Sequence, residues 1–415
     1  MSILKEAKTH LNRVARKLLQ LSPEDFRYAI TRTHLNINHN PDSDLTIKVA
    51  ETKEELKAAY KIIHDSYVEI GYMDPHRSKM RLSFYNMLPH TSTLVALWQG
   101  EVVGTMSIVL DSPVGLPIDA DFDTTHIRKS SFRLCEIIGL SIKKEFRSYG
   151  GKILFPIMKH MYHFINDNLG CDCVTVAVSP KRKDLYKGIL LFSEIEDKVV
   201  NDAFIKGAKS VALYLDLKNV DERYKEIYDK RDDKINLYKY MFETTLPNLI
   251  FPEDEYHHVS HSSLSKDLLT YFFSEQSDVI TSLSDDIRET FAKHIFPNDD
   301  LKSLLNLKDI NVDDEMRQSM RFPTYCRGSV VTSNETSAIT VLDVSVEGLR
   351  MITTAQLERH KKYTVNVEVS PQKCLSLEAV MQWNQKKSMY GFEIVEESLQ
   401  WHEYIYFLEE NYYKK

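Results

Sequence analysis

The sequence predicts an α/β domain, a helical connector and a small C-terminal β-barrel. Three observations carry this. Over residues 45–220, short apolar strands alternate with amphipathic helices, the pattern of a layered α/β domain. Over 221–313 the chain turns helical and charged, interrupted by "LPNLIFPEDE" and "FPNDD". Over 314–415, six short strand-like runs and a closing helix follow, the pattern of a small barrel.

A chain of 415 residues exceeds one ordinary core. Its 43% hydrophobic and 27% charged content is that of a globular protein. No run reaches the ~18 apolar residues of a membrane span, and no apolar signal segment opens the chain. Five scattered cysteines make neither a C-x-x-C pair nor an even disulfide framework, which points to the cytoplasm. A net charge of −7 gives no reason to expect a nucleic acid polymer as partner.

Residues 1–44 form an N-terminal helical segment. In "MSILKEAKTHLNRVARKLLQ", Leu4, Ala7, Leu11, Val14, Leu18 and Leu19 share a face flanked by lysines and arginines. Such a helix docks on its own domain or lies on a membrane surface; the modest apolar face favours the former and leaves peripheral membrane contact as the alternative.

The α/β domain then unfolds in order. "LTIKVA" is a strand, and "TKEELKAAYKIIHDSYVEI" is a helix that Thr52 can cap. "TSTLVALW" and "EVVGTMSIVL" flank Gln99-Gly100 as a hairpin. "FRLCEIIGLSI" is a strand that gives way near Lys143 to a turn. "GGKILFPIMKHMYHFINDNLG" is a helix starting near Tyr149 and closed by Gly170. "CVTVAVSP", "KRKDLYKGILLF" and "AKSVALYLDL" supply strand, helix and strand.

Glu136 is the first candidate for chemistry. A carboxylate mid-strand among Leu134, Ile137 and Ile138 is costly unless it faces a cleft or a partner. It reads either as an acid–base group or as half of a buried ion pair with Arg133 or another cation. Tyr186 reads as a proton donor or as core packing. The turn "RSYGGK" can offer N–H groups of Gly150 and Gly151 to an anion at a helix start. Lys143, Lys144, Arg147, Lys152 and Lys159 form one basic cluster, and Lys181, Arg182, Lys183 and Lys187 another; each can steer an acidic partner or be a solvated face. "EDEYHHVSH" gathers histidines but reads as a polar loop, and no metal site is expected.

The strand–turn–helix at Arg147-x-x-Gly150 resembles the phosphopantetheine loop of the GNAT acyltransferases, with Lys152 where that family has a small residue. "YVEIGYMDPHRSKMR", "VVGTMSIVLDSPVGLPID" and "RLCEIIGLSI" narrow the resemblance to the long-chain N-acyl amino acid synthases, a branch related to acyl-homoserine lactone synthases. That resemblance covers 45–220. It implies transfer of an acyl chain from acyl carrier protein, or from acyl-CoA, to the amine of an amino acid or similar acceptor, with no permanent cofactor. In that scheme Glu136 is the base or orients the amine, and Tyr186 is the acid. Leu140, Ile142, Arg147, Gly150, Gly151 and Lys152 hold the donor's phosphopantetheine arm. Lys152 crowds the pyrophosphate place of coenzyme A, which favours the carrier protein.

In the last part, Arg317 and Arg321 stand four apart, and Asp343-Val-Ser345-Val-Glu-Gly348 follows. Guanidinium forks suit phosphate and the guanine edge. The pair of motifs resembles a PilZ domain over 314–410: a six-stranded barrel that binds cyclic di-GMP, here through Arg317, Arg321, Asp343, Ser345 and Gly348. The reading is a bacterial acyltransferase regulated by that nucleotide. Two alternatives are a GNAT scaffold that has lost its chemistry and serves as a cyclic di-GMP effector, and an acyl-homoserine-lactone-like signal synthase.

Overall fold

A computed structural model describes residues 22–40, 42–130, 133–147, 151–253, 256, 264–291, 321–333, 335–370, 372–385, 389–396 and 398–412. The N-terminal amphipathic helix, Gly150, Arg317 and the histidines of "EDEYHHVSH" lie outside them.

The α/β part is one sheet in the order β1-β2-β3-β4-β5-β8-β6, with β7 paired to β8. Its strands are β1 (Leu45–Val49), β2 (Thr91–Trp98), β3 (Glu101–Leu110), β4 (Leu134–Ile142), β5 (Cys173–Val178), β6 (Ser193–Glu194), β7 (Val200–Asp202) and β8 (Ala208–Asp216). All neighbours are antiparallel except β4 and β5. Gln99 and Gly100 make the hairpin with φ of 50° and 83°, the left-handed pair such a turn needs. Strand alternation divides the core. Cys135 and Ile137 of β4 face one layer; Leu134 and Ile138 face the other.

The first layer holds α4 (Leu154–His163), α5 (Lys183–Gly188) and α6 (Val220–Tyr228), and α1 (Glu24–Thr33) packs on α5, Tyr28 against Gly188. The second holds α2 (Lys53–Ile70), α3 (Thr125–Ser130), α7 (Lys266–Thr270) and α8 (Asp285–Thr290). Thr52 caps α2 as expected: its side chain accepts from Glu55 N, and the Glu55 side chain reaches back. The loop helix α4 starts at Leu154, five residues later than its periodicity suggests.

The described parts of the connector pack on this sheet. Leu237, Tyr240, Leu246 and Leu249 join the first layer; Leu269, Phe272, Phe273 and Phe291 join the second. Ile47 N donates to Asn248 O and Ile250 N to Ile47 O, which ties the segment to the sheet edge. Lys159, expected in the basic mouth, is instead buried under the segment. Its ammonium donates to Tyr240 O and Met241 O at 2.6 and 2.7 Å.

The C-terminal part is a closed barrel in the order β10-β11-β14-β13-β12-β9. The strands are β9 (Phe322–Val331), β10 (Thr336–Val344), β11 (Gly348–Thr353), β12 (Lys362–Ser370), β13 (Lys373–Gln385) and β14 (Met389–Ile394), closed by α9 (Leu399–Tyr412). Trp401 and Tyr404 of α9 bury into its core. Strand β9 also rests on the α/β part. Arg133 Nη2 donates to Thr324 O at 2.9 Å, and Arg327 Nη2 donates to Gly170 O and to Asp172 Oδ1.

Candidate active site and ligand-binding barrel

Strands β4 and β5 pair only through Leu134–Cys173, Cys135–Val174 and Glu136–Thr175. Beyond Glu136 they part, and β4 runs on to Ile142 paired on its β3 side alone. The split has a local cause. Gly139 adopts φ +67°, where an added Cβ would stand 2.9 Å from Ile63 Cδ1, and the β3–β4 register shifts there. Such a bulge re-aims the strand. Leu140 and Ile142 are half-buried along the freed edge.

Glu136 sits where the pairing stops, 2% exposed. Arg133 does not pair with it: that guanidinium donates to the carbonyls of Leu169 and Thr324. The carboxyl instead accepts from Ile118 N at 2.8 Å. Burial pushes its proton affinity well above the usual carboxylate range; the Ile118 N–H and Arg128 oppose this, while Asp119 and Asp202 add to it. Tyr186 follows β5 on α5, buried, edge-on to Phe192 at 5.3 Å. Burial raises its phenol to about 12, with Arg182 opposing and Tyr67 adding. A phenol held neutral at neutral pH can donate a proton.

The donor loop is arranged differently from the sequence expectation. Arg147 Nε donates to Ile142 O at 2.8 Å, closing its own turn, while its other nitrogens reach Glu69 and Ser66 of α2 at 2.8 and 2.9 Å. Gly151 is needed at φ +86°, where a Cβ would meet Phe155 at 2.7 Å. Lys152 turns to Asp42, 3.5 Å away, so its ammonium does not join Arg147. The basic clusters are largely matched by carboxylates: Lys143 by Glu101, Lys144 and Arg147 by Glu69, Lys183 and Lys187 by Glu194. Their pull on an acidic carrier is correspondingly reduced.

In the barrel, Arg321 Nη1 donates to Asp343 Oδ1 at 2.6 Å, and Arg350 holds the other oxygen. Ser345 is buried and closes the turn: its N and Oγ both donate to Gly348 O. Trp401 Nε1 donates to Ser345 O and Val346 O, pinning that turn to α9. At Gly348 a Cβ would stand 2.5 Å from Phe392 O, so glycine is what lets the two strands approach there, with Arg321 Nη2 3.3 Å from the same point. Arg321 is thus the partly exposed member of the pair, with Asp343 buried behind it, and Ser345 and Gly348 shape the turn beneath. Sequence reasoning missed Arg350, Ile118, Arg128 and Ser66; none belongs to a spaced motif that would mark it.

Residues 58–216 match the family model described as N-acyl amino acid synthase FeeM. No curated protein matches the chain. Among solved structures, the N-acyl amino acid synthase FeeM from uncultured soil microbes aligns at 19% identity, over 43% of this chain and 93% of that one, TM-score 0.37. The CoA-dependent acyl-homoserine lactone synthase BjaI aligns at 12% identity over 51% and 95%, TM-score 0.35. YcgR from Escherichia coli, solved with c-di-GMP, aligns at 15% identity over 23% and 46%, TM-score 0.21. The matched residues run from within α2 to the end of β8, so the α/β part has a GNAT-like fold and is similar to the N-acyl amino acid synthases. The C-terminal part has the closed six-stranded form expected of a PilZ domain and bears Arg321 and the Asp343-x-Ser345-x-x-Gly348 turn. Among the described residues, no group of three His, Cys, Asp or Glu could hold a metal, and no helix is long and apolar enough to cross a membrane.

Proposed function

We propose that the protein moves a long-chain acyl group from an acyl carrier protein or acyl-CoA thioester to the amine of an amino acid or similar acceptor, under control of cyclic di-GMP at the barrel. The observation that carries this is Glu136, buried at the point where β4 and β5 part, inside the family-matched segment. The thioester carbonyl lies along the freed edge at Leu140–Ile142, where backbone N–H groups meet the developing oxyanion. The acceptor amine gives a proton to Glu136 as its nitrogen attacks. The C–N bond forms, the C–S bond breaks, and Tyr186 supplies the proton the thiolate takes.

Arg147, with Gly150 and Gly151, holds the donor's phosphate after exchanging Glu69 for it; Lys152, turned to Asp42, stays outside. With Lys152 withdrawn and the rim charges matched, donor choice rests on measured transfer rates from matched carrier and CoA thioesters. At the barrel, Arg317, Arg321 and Asp343 take cyclic di-GMP, on a turn shaped by Ser345 and Gly348. Strand β9 starts one residue after Arg321 and rests on Arg133, three residues before Glu136. Capture of the nucleotide therefore bears on the foot of β4 directly, rather than through the connector. Mass spectrometry of lipid extracts from cells expressing the wild type or Glu136→Gln tests the reading. An N-acylated amine present only with the wild type supports it; identical extracts, with cyclic di-GMP still bound by the purified chain, would indicate the effector that has lost its chemistry.

A further inference from the structure

Ile118, whose N–H reaches Glu136, lies in the segment that leaves β3 at Leu110 and crosses the sheet face before α3. Asp119 closes this segment on itself. Its Oδ2 accepts from Leu116 N at 2.7 Å and its Oδ1 from the Thr124 hydroxyl at 2.6 Å. Asp119 in turn accepts from Arg128 Nη1 and Nη2 at 2.9 and 2.6 Å. The same guanidinium grips Asp111, Nε to Oδ2 at 2.6 Å and Nη2 to Oδ1 at 2.8 Å. One arginine therefore draws together both ends of the segment whose middle touches Glu136. These residues line an open cavity of about 600 Å³, so the clamp sits at a cleft and not in the packed core.

We infer that Arg128 is a positioning residue for acyl transfer: by clamping Asp111 and Asp119 it fixes the segment so that the Ile118 N–H holds the Glu136 carboxyl at the split between β4 and β5. This rests on the reading of Glu136 as the acid–base group. A planar fork makes two-sided bidentate contacts that a lysine ammonium cannot reproduce. Without it, two carboxylates face each other and the segment parts. The groups acting on Glu136 are then weighted differently. The Ile118 N–H and Arg128 favour its charged form; burial, Asp119 and Asp202 disfavour it, and Tyr85 and Cys135 feel its charge. Loosening the clamp weakens the favourable contacts, so Glu136 gives up its proton at higher pH.

The test uses the full chain as wild type, Arg128→Lys, Asp111→Asn and Glu136→Gln. Single-turnover thiol release from a palmitoyl carrier-protein thioester, with a mixture of the common amino acids as acceptor, is followed against pH. In parallel, the infrared band of the Glu136 carboxylic acid, identified by its loss in Glu136→Gln, is titrated without substrate. Arg128→Lys is expected to slow transfer about ten- to a hundred-fold, and both the acidic limb of the rate profile and the infrared titration should move together to higher pH. Asp111→Asn, which keeps the fork but weakens its grip on the start of the segment, should move them the same way and serves alone if Arg128→Lys does not fold. Slower transfer with both profiles unmoved overturns the inference and leaves a merely structural clamp. Wild-type transfer by Glu136→Gln overturns the reading beneath it; an inactive Glu136→Gln with unmoved clamp variants overturns the inference alone.

Discussion

Glu136 and Asp343 show how one side-chain type takes two roles by its surroundings. Glu136 is buried and accepts from the Ile118 N–H, and its burial holds the proton tightly. Its folded-state proton affinity exceeds that of the unfolded chain, so the stability it contributes is present at low pH and is lost as pH rises through the raised value. Glu136→Gln, which can still accept from Ile118, should therefore melt higher relative to wild type at pH 8 than at pH 5, while transfer falls ~10²-fold or more. Paired melting curves and single-turnover assays check both. Asp343 is gripped by two arginines instead. Arg321→Ala leaves it paired with Arg350, and should weaken cyclic di-GMP binding by about 1–3 kcal/mol with little change in melting. Asp343→Ala leaves two arginines facing one another and should destabilise the barrel as well. Calorimetry and thermal melts separate the two.

At the scale of elements, local signals were legible and long-range ones were not. The Thr52 cap, the Gln99-Gly100 hairpin and the six barrel strands each rest on residues a few positions apart, and each formed where the sequence placed it. The two motifs at Arg317–Arg321 and Asp343–Gly348 were legible because each is short and carries its fixed residues a few positions apart. By contrast, Arg128 reaches Asp111 across seventeen positions, and Lys159 meets Tyr240 and Met241 across more than eighty. No periodicity records such partners, so Lys159 read as a surface charge. Its burial lowers the ammonium to about 8. A lysine whose folded value lies below its ordinary one gains stability as pH climbs from that value towards 10.5, because the unfolded chain binds more protons there. Lys159→Met should thus be destabilised, with two carbonyls left unmet at about 1–3 kcal/mol each. The gap to wild type should widen between pH 7.5 and pH 10. Melting curves at the two values report it.

For the whole molecule, the junction decides whether the barrel is a regulator or a passenger. Arg133 stands at the foot of β4 and donates to Thr324 of β9; Arg327 of β9 returns to Asp172 beside β5. The two strands that define the active split are thus held by the strand that follows Arg321. A ligand that alters β9 must distinguish two arrangements of this junction to change activity. Arg327→Ala removes one tie from a half-exposed position and leaves Asp172 bonded to Arg133 N. It should reduce the effect of cyclic di-GMP on transfer while leaving unliganded transfer within about two-fold, a small share of the 1–3 kcal/mol typical of coupling. The most direct measurement is single-turnover acyl transfer by the full-length chain across a cyclic di-GMP titration, alongside the Arg321→Ala and Glu136→Gln variants. The account predicts a several-fold change in the wild-type rate, absent in Arg321→Ala, and transfer ~10²-fold or more slower at every concentration in Glu136→Gln. A wild-type rate that stays flat while the nucleotide binds, or transfer at the wild-type rate without Glu136, would contradict it.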